Sequence, residues 1–189
     1  MSPLAVLIDV LIVRPLQPSD NRSTFRSGHI ELDRFFQRYA GQNQFRHHLG
    51  TTWVAVDDGV IVGFVTVSAA HLELGVLPER LRRKLPAYPL PVLRLARLAV
   101  AENTQGRGIG RALLRAAFAL AWRMADEVGC TGVVVDAKAE AVAFYERLGF
   151  FALAHAKGGL GDRPEPTPLF LELAAIPRTV ERDNGSEPA

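Results

Sequence analysis

The residues best placed to do chemistry are Gln105-Gly106-Arg107-Gly108-Ile109-Gly110 and, thirty-five positions after the last of them, Tyr145. The glycine-rich stretch follows the apolar run Val92–Val100 and opens a long helical pattern from Arg111 to Trp122. A strand that turns through glycines into a helix start leaves several backbone N–H groups without intrahelical acceptors, with the positive end of the helix dipole behind them. That pattern predicts a seat for a phosphate or pyrophosphate, and glycine lets the ligand approach because no Cβ intervenes. Two familiar loops fail on spacing. A dinucleotide fingerprint counted from Gly106 needs a glycine where Arg111 stands, and a nucleotide-gripping loop needs Gly-Lys-Ser/Thr where the chain has Gly110-Arg111-Ala112. Tyr145 sits in Ala143-Phe144-Tyr145-Glu146-Arg147-Leu148-Gly149-Phe150. A phenol with its usual pKa of about 10 is neutral at pH 7 and can give a proton to a leaving group.

Charge points to an anionic ligand larger than one phosphate group. The whole chain carries +2, yet Pro78–Arg115 holds nine basic residues (Arg80, Arg82, Arg83, Lys84, Arg94, Arg97, Arg107, Arg111 and Arg115) against Glu79 and Glu102. This segment is therefore +7 and the remainder −5. The other chemical residues read as structural. Cys130 is a small packed hydrophobe, and one cysteine in the chain excludes an internal disulfide and fits a reducing cytoplasm. The adjacent His47-His48 face different ways on a helix with no ligand set around them, so no metal site is expected. Asp136 reads as a strand-end residue or a substrate contact.

The elements that must position these groups follow from periodicity. Leu4–Val13 is apolar but only ten residues long, is interrupted by Asp9 and has no basic residue before it, so it neither spans a membrane nor forms a secretory signal. Its second half reads as a first strand. Leu32, Phe35, Phe36 and Tyr39 make one helical stripe, with Ser27-Gly28 before it as a start. Thr51–Val56 and Val60–Val67 read as strands around the turn Asp57-Asp58-Gly59. A basic helical stretch over Leu77–Leu85 is closed by Pro86, Pro89 and Pro91 before the strand from Val92. Beyond the long helix come a buried strand at Gly132–Asp136, a short helix at Ala139–Arg147, and strands at Phe150–Ala154 and Leu169–Leu173. A glycine- and proline-rich loop, Gly158 to Pro168, links those last two. At 189 residues with 48% hydrophobic and 22% charged residues, the chain fits one α/β domain over 8–174, followed by a polar, disordered tail over 175–189.

Gln-x-x-Gly-x-Gly after a strand, with the Phe-Tyr-x-x-x-Gly-Phe stretch following in that order and spacing, resembles the GNAT acyltransferases. The resemblance implies a mixed, mostly antiparallel sheet whose central parallel pair is splayed around coenzyme A, flanked by helices. It implies acetyl-CoA held by Gln105, Gly106, Arg107, Gly108, Ile109, Gly110 and Arg111. Leu98, Ala99 and Val100 then bond the pantetheine arm, with one N–H facing the thioester carbonyl; such fixed donors are worth roughly 3–4 kcal/mol in the transition state. Tyr145 would protonate the leaving thiolate. Many family members place a carboxylate on the strand before the coenzyme turn, but this strand has Arg94 and Arg97 and no acid until Glu102. A lysine amine of pKa about 10.4 would need a base, whereas an α-amino group near 7.7–8.0 is already partly neutral.

The likeness narrows further. Phe25–Phe36, Leu85–Val92 and Leu95–Val100 look like the GNAT toxins of bacterial toxin–antitoxin pairs, with Ser27 standing where many relatives have cysteine. This implies acetylation of the α-amino group of aminoacyl-tRNA, a block of translation, a ribbon-helix-helix antitoxin as partner and a cytoplasmic homodimer. Arg80, Arg82, Arg83, Lys84, Arg94 and Arg97 would contact tRNA, the first four as a sequence-blind phosphate patch. Two other readings stay open. One is an acetyltransferase of a free amine or a protein N-terminus; the other is a coenzyme-binding module without turnover, against which Tyr145 speaks.

Overall fold

Seven strands and five α-helical segments make up the residues described by the computed structural model, 11–154 and 165–178. In chain order they are β1 (Ile12–Pro15), α1 (Ile30–Arg34), α2 (Ala40–Phe45), β2 (Thr51–Asp57), β3 (Val60–Leu72), α3 (Glu79–Arg82), β4 (Leu90–Val100), α4 (Ile109–Glu127), β5 (Gly132–Ala137), α5 (Val142–Glu146), β6 (Phe151–Ala152) and β7 (Thr167–Glu172). The strands form one sheet in the order β1-β2-β3-β4-β5-β7-β6, in which β4 and β5 are the parallel pair and every other pairing is antiparallel. Most of the predicted glycine-rich link and residues 4–10 of the apolar N-terminal segment lie outside the described residues, as do residues 179–189.

Local chemistry explains the first hairpin. Asp58 and Gly59 both have positive φ, 46° and 75°, the conformation that reverses a two-residue connection with the twist strands prefer. β3 runs five residues beyond the predicted Val67, since Ser68–Leu72 pair with Leu90–Arg94 of β4. β4 starts at Leu90 and passes through Pro91, which is tolerated near the start of a strand. β1 takes in Ile12 and Val13 of the apolar run and continues to Pro15.

The predicted stripe on the first helix is interrupted. Residues Phe35–Tyr39 between α1 and α2 form a turn of π-helix, wider than α, which puts the next inward position one residue later. Phe35 and Phe36 are buried as expected, but Tyr39 is 46% exposed and Ala40 takes the inward place at 1%.

Each face of the sheet has its own core. On one, α4 lays Ile109, Leu113, Leu114, Ala117 and Ala121 across Val65, Leu93, Val133 and Leu169. The opposite face carries two clusters. Phe25, Phe35 and Phe36 cover Val54 and Phe64 at one end, and Leu77 and Leu81 cover Val92, Val134 and Phe170 at the other.

Phe64 is fully buried and stacked on Phe36 at 4.3 Å between ring centroids, with Phe25 edge-on at 5.4 Å. Replacing Phe64 by Ala should therefore cost about 3–5 kcal/mol of stability. Urea unfolding followed by circular dichroism measures this directly; a loss under about 1 kcal/mol would mean that the first helix is not packed on the sheet through this ring.

Candidate active site

The site lies where β4 and β5 separate. Their parallel pairing covers Leu93–Leu95 against Val133–Val135 and goes no further. At the same level β4 carries a bulge: Thr66 faces Arg97 and Val67 faces Leu95, so Ala96 is an extra residue with no partner of its own on β3. A bulge bends and twists its strand, and here it accompanies the departure of Leu98–Val100 from β5.

The cleft between the strands has two connected parts. One, of about 590 Å³, runs along Gly106, Gly108, Gly110 and Arg111. At Leu98–Val100 and Gln105 it meets a compartment of about 250 Å³ that contains Tyr145.

Gly106 and Gly108 have φ of 81° and 83°, and a Cβ built on either meets nothing within 4 Å, so their need for glycine is conformational and the space before them is open. Gly108 is the N-cap of α4 and no side chain caps that end. The first intrahelical bond returns from the Ala112 N–H to the Gly108 carbonyl at 3.1 Å. The N–H groups of Ile109, Gly110 and Arg111 therefore have no acceptor within the helix and face the open cleft, which is the donor set that a pyrophosphate requires.

Side chains around the turn do different work from its backbone. Ile109 is buried in the core and anchors the turn. Arg107 reaches Asp57 at 3.1 Å. Gln105 donates from Nε2 to the Val100 carbonyl at 3.2 Å and the Ser27 carbonyl at 3.3 Å, clamping the turn to the end of β4 and to the segment before α1. That segment is fixed in turn by buried Asp33, whose Oδ1 accepts from the Ser27 N–H at 2.8 Å and the Ser27 hydroxyl at 2.6 Å. Ser27, His29 and Leu32 consequently line the Tyr145 compartment, a role not evident from their types or spacing. The Ser27–Asp33 pair is neither a capping box nor a catalytic spacing, so no local pattern marked it.

Tyr145 is 5% exposed, held on α5 between Phe144 and Phe150 with both rings edge-on at 5.2 and 5.3 Å. Burial pushes its pKa up to about 12. The hydroxyl is therefore protonated throughout the neutral range. A thiolate formed in the same water-poor cleft would be raised by the same desolvation, which favours proton donation to it.

Next to the Tyr145 compartment, Arg94, Arg97, Asp136 and Lys138 line a further hollow with Glu31 and Leu32. The Arg97 guanidinium lies 3.8 Å from the centroid of the Phe35 ring, and although the residue as a whole is exposed, the water excluded there lowers its pKa. Among the described residues no carboxylate pairs with it. Arg94 does have a partner, Asp136 at 2.7 Å. Of the basic stretch, Arg80 pairs with Glu172 at 2.9 Å and Arg83 with Glu79, while Arg82 and Lys84 are exposed with no ion pair among the described residues. These four sit on and just after α3, over the same sheet face as Arg94 and Asp136 and apart from the glycine turn. His47-His48 joins no group of three metal-binding side chains among the described residues, and no helix there is long and apolar enough to cross a membrane.

The chain is similar to several known proteins. A tRNA-acetylating toxin of Mycobacterium tuberculosis is 35% identical over 138 residues, covering 72% of this chain and 82% of its own. A mutant of KacT superimposes with a TM-score of 0.77 at 25% identity over 88% of this chain and 96% of that one. AtaT complexed with acetyl-methionyl-tRNAfMet gives 0.76 at 24% identity over 88% and 97%, and AtaT has also been solved with the C-terminus of the antitoxin AtaR and acetyl-CoA. Residues 48–151, more than half of the chain, match the family described as acetyltransferase (GNAT) domain. With the splayed parallel pair, the uncapped glycine turn and the buried tyrosine in place, the chain belongs to the GNAT acetyltransferases.

Proposed function

We propose that this acetyltransferase moves the acetyl group of acetyl-CoA to the α-amino group of aminoacyl-tRNA and so acts as a toxin that stops translation. The observation that carries the acceptor class is Arg97, a guanidinium held over the Phe35 ring beside the Tyr145 compartment with no carboxylate partner among the described residues. A cation fixed at that mouth suits an acceptor that brings its own phosphates, as the 3′ end of tRNA does. The 35%-identical relative named a tRNA-acetylating toxin supports the same reading.

In this mechanism the coenzyme supplies an acetyl thioester. The N–H groups of the glycine turn and the first turn of α4 hold its pyrophosphate, and Gly106 and Gly108 leave the room. Unpaired backbone groups over Leu98–Val100 bond the pantetheine arm and present an N–H to the thioester oxygen, stabilising the charge that develops there. The neutral α-amine attacks the carbonyl carbon, so that a C–N bond forms and the C–S bond breaks. Tyr145 gives its proton to the departing sulfur, and the proton that the attacking nitrogen sheds as the amide forms returns the phenol to its neutral state. β4 need carry no carboxylate to deprotonate such an amine, because an α-amino group near pKa 7.7–8.0 is partly neutral already.

Arg82 and Lys84, with Arg80 and Arg83, provide a second, weaker contact for tRNA phosphates. We further infer an antitoxin of the ribbon-helix-helix class as the protein partner, a homodimer, and residence in the cytoplasm. The complex of AtaT with its antitoxin supports a protein antitoxin as partner; the ribbon-helix-helix class rests on the family resemblance alone.

Incubation with labelled acetyl-CoA and either charged or deacylated tRNA tests the central reading. Label should appear on charged tRNA alone, and label on free amines but not on tRNA would sink it. Tyr145→Phe should slow transfer by about 10²- to 10⁴-fold with acetyl-CoA affinity preserved. Since burial holds this acid up to about 12, its protonated, active form persists below that pH. kcat should therefore show no alkaline decline below the ordinary tyrosine value of about 10; a decline setting in near 8 would remove Tyr145 from the proton-donor role. Arg97→Ala should lower the slope of log K for deacylated tRNA against log salt by about 1.

A further inference from the structure

We propose that Asp136 is the residue that holds the acceptor's ammonium group, and that Arg94 orients Asp136 rather than binding phosphate; the ammonium is that of the aminoacyl group in the function proposed above.

Asp136 stands at the fork of the sheet. Leu95 and Val135 are the last paired residues of β4 and β5, and Asp136 is the next residue on β5. It lines both the compartment containing Tyr145 and the outer hollow containing Arg97. Glu140 lines only the first of these, and Glu31 only the second. An acceptor entering past Arg97 toward Tyr145 therefore passes Asp136. The carboxylate missing from β4 is supplied by the neighbouring strand.

The pair with Arg94 has the geometry of an orienting contact. Arg94 Nη1 meets Asp136 Oδ2 at 2.7 Å, and among the described residues Oδ1 accepts no hydrogen bond. One oxygen is thus fixed and the other is left for an ammonium, which has three N–H donors. The side chains are 44% and 46% exposed, and ion pairs that open to water contribute little to folding. Arg94 is turned to Asp136, whereas Arg97 has no carboxylate partner among the described residues. The two arginines of β4 accordingly have separate tasks.

Binding through an ammonium also separates substrate from product. Before attack the amine releases its proton to water; after transfer it is a neutral amide with no charge to offer Asp136. N-acetylated aminoacyl-tRNA should then bind like deacylated tRNA.

Four proteins decide the matter: wild type, Asp136→Asn, Asp136→Glu and Arg94→Ala. For each, kcat and KM for charged tRNA are measured beside the Kd values for deacylated tRNA and for acetyl-CoA. Asp136→Asn and Arg94→Ala should lose about 10- to 100-fold in kcat/KM, mostly through KM. Both Kd values should stay within about twofold, because neither phosphate contact nor fold is altered. Asp136→Glu should recover part of the loss. Unchanged kcat/KM in Asp136→Asn, or a parallel loss of deacylated-tRNA affinity in Arg94→Ala, would overturn the assignment. If wild type acetylates a free amine and no tRNA, the functional reading fails instead, and the same variants assayed on that amine still test Asp136.

Discussion

Three residue pairs between β4 and β5 hold the sheet together at its centre, and the rest of the molecule is arranged around their ending where they do. Had the pairing continued past Leu95, the backbone of Leu98–Val100 would be spent on hydrogen bonds to β5 and no cleft would exist. The separation leaves polar backbone groups facing space, which is costly unless a ligand or water meets them. The divergence is held by other means. The bulge at Ala96 turns β4 away, and α4 bridges the two halves from one face by packing at once on Val65 and Leu93 from one side and Val133 and Leu169 from the other. The same helix offers its uncapped N-terminus to the cleft, so one element closes the core and opens the anion site.

The opposite wall is built by the segment before α1. Phe25 packs edge-on to Phe36, Ser27 is fixed by Asp33, and the Ser27 carbonyl takes a hydrogen bond from Gln105. Phe35 then supports Arg97 from below. A chain of ordinary packing and hydrogen bonds thus connects the first helix to the glycine turn. This makes the aromatic cluster over Phe64 part of the site's support, although none of its rings touches the reacting atoms.

What could be read beforehand was what short-range physics decides. The Asp57-Asp58-Gly59 turn, the glycine turn and the 3.6-residue period of α4 are local signals, and each led to the right element. The place of Tyr145 on a short helix ahead of a strand was legible in the same way, while its role as proton donor came from the family resemblance. Long-range facts were not. Tyr39 fits a regular helix, and only the π-turn, a product of tertiary packing, rotates it out and Ala40 in. Ser68–Leu72 have weak strand character and become strand through pairing with the start of β4. The ion pair of Arg94 with Asp136 joins residues 42 positions apart, and its place at the fork depends on a register that no spacing reveals.

The charge pattern illustrates the same limit. Read linearly, nine cations between Pro78 and Arg115 form one basic tract. In the fold four of them are paired: Arg80 with Glu172, Arg83 with Glu79, Arg94 with Asp136 and Arg107 with Asp57. Three of those carboxylates come from outside the tract, so the acidic remainder of the chain is drawn in to answer it. Arg82, Lys84, Arg97, Arg111 and Arg115 have no such partner among the described residues, and they do not share one surface. Arg111 lines the cleft at the glycine turn, Arg97 the hollow beside Tyr145, and Arg82 and Lys84 are exposed on and just after α3. A uniform basic patch would hold any polyanion in many registers. Fixed cations at separated points, with the intervening ones neutralised, favour a ligand whose phosphates match their spacing, which fits the acceptor proposed above.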